Sequence, residues 1–88
     1  MKPNMKKALK SRLNRIEGQV RGLQKMVVQE KYCIDVITQA QAIKSALSAF
    51  ETLMLKNHLE THVMHQMKHG KSIMAIDEIL KVYNLKLK

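Results

Sequence analysis

Leu9, Leu13, Ile16, Val20, Leu23 and Val27 recur at alternating spacings of four and three residues. That is the period of a helix with a single apolar stripe. Pro3-Asn4 predicts its start, with Asn4 as the cap. Continuing the stripe would place apolar residues at 30, 34, 37, 41 and 44, yet Glu30, Gln41 and Lys44 are polar. A second stripe in a different phase, Cys33, Val36, Ala40, Ile43, Leu47, Phe50 and Met54, fits instead. The phase slip predicts a break within Gln29-Glu30-Lys31-Tyr32, although neither glycine nor proline marks it. No Gly or Pro occurs from 33 to 69, so the second helix is expected to run to about His69, with Gly70 as its C-cap. Ser72 can cap a third, shorter helix with Ile73, Ile76, Ile79, Leu80 and Tyr83 on its apolar face. Gly18 and Gly22 fall inside the first helix, each at about 1 kcal/mol relative to Ala. Their spacing suits close approach of another backbone or simple tolerance.

The pattern predicts an all-α protein: a three-helix protomer made of a long helical hairpin and a short third helix. One domain spans 1–88. A chain of 88 residues in long, thin helices buries little core, and pairing two hairpins as an antiparallel four-helix-bundle dimer is the remedy. With one Phe, two Tyr, no Trp and seven Met, the apolar surface is aliphatic, which suits helix packing.

Sixteen Lys and Arg against seven Asp and Glu give a net charge of +9, more than solubility requires. A polyanionic partner is implied, with nucleic acid ahead of an anionic membrane surface or a merely solvated basic face. The basic residues concentrate in the first helix and its tail, where Lys10, Arg12, Arg15 and Arg21 are the candidate DNA contacts. No helix-turn-helix or zinc-finger spacing is present to define the mode of contact. One cysteine excludes an internal disulfide framework and fits a reducing compartment. With no secretory signal pattern and no apolar run approaching about 18 residues, a cytoplasmic protein without a membrane partner is expected.

Cys33 precedes His58 by 25 residues, and His62, His65 and His69 follow at spacings of four, three and four. One thiolate and two imidazoles, from Cys33, His58 and His62, form a donor set for Cu(I), acceptable to Zn(II) with a fourth ligand and poor for Mg or Ca. On one helix Cys33 and His58 would lie roughly 37 Å apart, at about 1.5 Å per residue. They cannot share a site within a subunit. Antiparallel packing of this helix with its copy, about a twofold axis near Ala46, would place Cys33 of each chain against His58 and His62 of the other. His65 and His69 are far from Cys33 in either geometry. Nucleophilic use of Cys33 would need an oxyanion hole and a substrate pocket, and no Gly-rich loop or paired carboxylates are present to build them. Neither an enzyme nor a small organic substrate is expected. A cytoplasmic metal carrier or buffer is the rival function.

Three blocks carry a resemblance: Arg12-Leu13-Asn14-Arg15-Ile16-Glu17-Gly18-Gln19-Val20-Arg21-Gly22-Leu23, Tyr32-Cys33-Ile34-Asp35-Val36-Ile37-Thr38-Gln39, and Asn57-His58-Leu59-Glu60-Thr61-His62-Val63. In this order they resemble the CsoR/RcnR family of bacterial metal-responsive repressors across nearly the whole chain. The resemblance implies a dimer that assembles into a flat homotetramer, binds operator DNA when empty and releases it on binding inducer. Cys33 and His58 match two ligands of the copper branch, and His62 stands where that branch usually has a third ligand, a cysteine. Tyr32 and Glu78 match the pair that couples coordination to DNA release in the copper branch. The nickel and cobalt branch resembles this chain in its Cys, His, His set but adds an N-terminal histidine that Met1-Lys2-Pro3-Asn4 does not offer. Cu(I) is the expected inducer, with Ni(II), Co(II) or Zn(II) as alternatives. The persulfide branch has a second cysteine where His58 stands, and the formaldehyde branch a proline where Lys2 intervenes.

Overall fold

The computed structural model describes residues 1–63, 65, 68 and 70–87, and at 62, 63, 72, 86 and 87 the backbone alone. Helix α1 spans Pro3–Val28, α2 spans Cys33–His58, a π-helical turn covers Leu59–Val63, and α3 spans Ser72–Leu87. The described residues contain no strand, in keeping with the all-α expectation. Contacts divide the chain into two compact units, one of Lys2–Leu53 and one of Met54–Lys88 together with Met1.

The helix starts differ by a residue or two from the sequence expectation. Lys2, extended at φ −66 and ψ 147, precedes α1, and no side chain caps it. Proline at the first helical position already has the helical φ and has no N–H to satisfy, so Pro3 replaces the expected Asn4 cap. Ser72 is the first helical residue of α3, and the Lys71 carbonyl accepts the first bond, from Ala75 N–H at 3.0 Å. Ser72 therefore stands one position inside the cap; its side chain lies outside the described residues.

The break after Val28 falls where the stripe changes phase. Glu30 N–H donates to the Val27 carbonyl and Lys31 N–H to the Met26 carbonyl, both at 3.0 Å. This paired closure requires a left-handed residue between them, and Glu30 adopts it at φ 53. A side chain there costs about 1 kcal/mol or more. Glycine would remove that strain while adding roughly 0.4–1 kcal/mol of unfolded-state entropy. Glu30→Gly should thus stabilise the protein by a few tenths of a kcal/mol up to about 1 kcal/mol. Urea midpoints at fixed subunit concentration check it; an unchanged or lower midpoint would show that Glu30 bears no strain. The turn delivers Tyr32 as the residue whose carbonyl opens α2, accepting Val36 N–H at 3.1 Å, and Cys33 as the first helical residue.

The stripes resolve into rows seven residues apart. On α1, Leu9 and Ile16 are buried and Leu23 half-buried, while Leu13, Val20 and Val27 remain exposed at 43%, 39% and 59%. On α2, Ile43 is buried with Val36 and Phe50 half-buried, whereas Leu47 and Met54 are exposed. Each long helix thus has one row inside the hairpin and a second row outside it. Two rows at this interval are the seam of a helix bundle. In α3, Ala75 is fully buried, but Ile73, Met74, Ile76, Leu80 and Tyr83 are exposed. A Cβ added at Gly18 or Gly22 would meet nothing within 4 Å, so neither glycine serves a close approach within the protomer.

The second helix does not keep α geometry to His69. It changes to π at Leu59, and Gly70, in the left-handed region at φ 73, follows the helical residues 65 and 68. His69 lies outside the described residues.

Candidate metal centre and nucleic-acid interface

Cys33 and His58 are the first and last residues of α2. The Cys33 thiol is free and exposed, beside Tyr32, which is 69% exposed. Near the other end, the unit formed by residues 54–88 brings α3 against the π turn, and there His58 meets Glu78. The two side chains, 32% and 33% exposed, lie 3.0 Å apart between Nε2 and Oε2. A carboxylate accepts hydrogen bonds and an imidazole N–H donates, so the contact is a hydrogen bond when Nε2 carries the proton; in that neutral tautomer Nδ1 is the ring nitrogen with a lone pair for a metal. An imidazole whose far N–H is held by a carboxylate is the usual arrangement of a metal-binding histidine, because the contact fixes ring orientation and raises ligand basicity. The observed donors, an accessible thiol and an oriented imidazole, fit a thiophilic ion such as Cu(I) or Zn(II).

His62 follows within the π turn, and its side chain lies outside the described residues. Among the described residues no three metal-binding side chains gather in one place. The structure brings together His58 and Glu78; it does not test the grouping of Cys33, His58 and His62. Sequence reasoning missed the π turn and its buried neighbour Asn57.

The family model for metal-sensitive transcriptional repressors matches residues 5–84. The chain belongs to that family. The copper-sensing transcriptional repressor CsoR of Bacillus subtilis (strain 168) is 38% identical over 78 residues, covering 89% of this chain and 77% of that protein. The transcriptional repressor RcnR of Salmonella typhimurium (strain LT2) is 35% identical over 83 residues, covering 94% and 92%. Among solved structures, the copper-sensing repressor CsoR with Cu(I) from Geobacillus thermodenitrificans superposes with a TM-score of 0.93 at 34% identity, covering all of this chain and 92% of that one. The protein is a metal-sensing transcriptional repressor of all-helical fold, and membership of a repressor family implies that it binds operator DNA.

The four candidate DNA contacts are not equivalent. Lys10, Arg15 and Arg21 are exposed, but Arg12 is half-buried. Arg12 and Arg15 line a crevice of about 70 Å³ with Ile16, Gln19 and Ala46, where α1 packs on α2. Gln19 Oε1 is buried there with no hydrogen-bond partner among the described residues. Arg21 Nη1 lies 3.6 Å from Glu17 Oε1, with both side chains about two-thirds exposed. Such a pair on a helix surface contributes little to stability. No helix of the described residues is long and apolar enough to cross a membrane.

Proposed function

We propose that the metal-free protein holds operator DNA as an oligomer of paired hairpins, and that Cu(I) is the inducer that releases it. Cys33 of one protomer joins His58 and His62 of its partner at each site. The observation that carries this reading is the His58–Glu78 hydrogen bond, because it ties a ligand at the end of α2 to a carboxylate on α3. The unbroken α2 between Cys33 and His58 supports a shared site, since a 26-residue helix keeps its ends about 37 Å apart. The exposed outer rows at Leu13, Val20 and Val27 and at Leu47 and Met54 supply the surface on which two hairpins close into a four-helix bundle. Pairs of dimers would form the tetramer, and a cytoplasmic location suits both the reduced thiol and the DNA. Copper-sensing relatives favour Cu(I) among the metals this donor set accepts.

When bound, Cu(I) supplies a fixed link between one protomer's thiolate and its partner's imidazoles. The rest is done by the chain. A turn of the His58 ring that aims Nδ1 at a metal also moves its Nε2–H, and so shifts or strains the bond to Glu78 on α3. The hydroxyl of Tyr32, exposed beside Cys33, would join the hydrogen-bonded network of the partner's His58 and the partner's Glu78 across the shared site. A coupling of this kind amounts to about 1–3 kcal/mol, or roughly a 5- to 150-fold change in DNA affinity.

Tyr32→Phe and Glu78→Ala are therefore expected to bind DNA normally when metal-free and to keep most of it when Cu(I) is in excess. Fluorescence anisotropy on labelled DNA under anaerobic, reducing conditions measures this. Full release in the double variant would remove the proposed route through α3.

A further inference from the structure

Asn57, immediately before His58, is the one buried polar residue among the described residues. Its carbonyl accepts a 2.7 Å hydrogen bond from Thr61 Oγ1, and within this span the backbone passes from α to π geometry. Changing from i→i+4 to i→i+5 bonding widens the turn and takes a backbone group at the junction out of its regular ladder. A hydroxyl aimed at the carbonyl four residues back supplies a donor at that point and draws the turn open.

The hydroxyl contact alone does not open a helix. Thr38 and Thr52 make the same bond, to the Ile34 and Ser48 carbonyls at 2.8 and 3.1 Å, and α2 stays regular around both. Those two bonds are exposed, whereas the Thr61 bond is partly buried and its acceptor belongs to a buried residue. Water can replace a missing donor at Thr38 or Thr52 but not readily at Asn57, so the bond matters more there.

The position of the turn gives it a consequence. A π turn adds one residue relative to an α course, rotating everything beyond it by about 100° around the helix axis. His58 lies before the turn and Glu78 after it, and their 3.0 Å bond closes across it. We propose that Thr61 is a positioning residue for the metal response: its hydroxyl on the Asn57 carbonyl holds Leu59–Val63 in π form and so sets the register in which His58 meets Glu78. The effect on DNA release rests on the reading of His58 as a ligand; the effect on register does not.

The test uses Thr61→Val, which keeps the side chain's shape without the hydroxyl, and Thr61→Ser, which restores the hydroxyl. Thr61→Ala takes the place of Thr61→Val if the latter does not fold. In the full-length, metal-free protein, nitrogen-15 NMR reads the hydrogen-bonded Nε2–H of His58, and hydrogen exchange reads the amides of 59–63. Thr61→Val should lose the bonded Nε2–H and exchange these amides about tenfold faster or more. Its DNA affinity without metal should stay within about twofold of wild type, while Cu(I)-driven release falls toward none. Thr61→Ser should restore every readout. A wild-type His58 signal and wild-type exchange in Thr61→Val would overturn the proposal, as would unimpaired release despite a missing signal. If wild type itself keeps its DNA in Cu(I), the functional reading fails, while the metal-free NMR comparison still decides whether Thr61 holds the register.

Discussion

Mixed in equal amounts and allowed to exchange, Cys33→Ala and His58→Ala subunits should recover roughly a quarter of the wild-type Cu(I) capacity, although neither variant alone binds stoichiometrically. Random pairing makes half the dimers mixed. Each mixed dimer has one site with both the thiolate and the imidazole, and one site lacking both. The converse mixture distinguishes shared from private sites equally well. Wild type combined with a Cys33→Ala/His58→Ala double variant should retain about a quarter of full capacity if sites are shared, and about half if each chain holds its own. Both outcomes follow from the placement of Cys33 and His58 at opposite ends of one 26-residue helix. Equilibrium competition against a Cu(I) chelator gives the capacities. Two inactive parents that remain inactive after verified exchange would rule out the shared site.

The second large effect is on DNA. Lys10, Arg15 and Arg21 are exposed on α1, and the chain has a net charge of +9. Repeated over the four protomers of the proposed tetramer, these cations could neutralise about six to ten phosphates, so affinity should fall by roughly 10³ to 10⁵ between about 50 and 200 mM salt. Arg15→Ala should weaken binding and lower the slope of log affinity on log salt by about 0.9 for each phosphate no longer neutralised. Its Cu(I) affinity should not change. Arg12→Ala is expected to behave differently, because Arg12 is half-buried in the crevice between α1 and α2 and its removal also loosens packing. Salt-insensitive binding would place the DNA-binding surface elsewhere.

The helix break at 29–32 was legible because polar Glu30, Gln41 and Lys44 interrupt the first stripe. The residue that makes the break was not, since Glu30 has no intrinsic preference for the left-handed conformation it adopts. The exposed outer rows were also present in the stripes, but periodicity cannot say which row a helix buries in its own chain and which it leaves for another. At the candidate site, Cys33 and His58 stood out by residue type and separation, whereas Glu78, twenty residues further on, was singled out by the family resemblance alone. No periodicity links residues on separate helices. The π turn was hidden because His58, His62, His65 and His69 are spaced as on a regular helix. The turn accompanies a hydroxyl bond to a partly buried carbonyl, which is a property of the packed structure.

If one site senses metal and thereby governs a DNA-binding surface, occupancy of the site and release of DNA must rise together. An anaerobic titration of Cu(I) into wild-type protein, held on DNA that it has selected from a random pool, follows both, with anisotropy reporting the bound fraction. Release should reach its plateau at about one Cu(I) per protomer, with DNA affinity reduced roughly 5- to 150-fold. Retention of the DNA after Cu(I) has filled the sites would show that metal binding and DNA binding are not coupled.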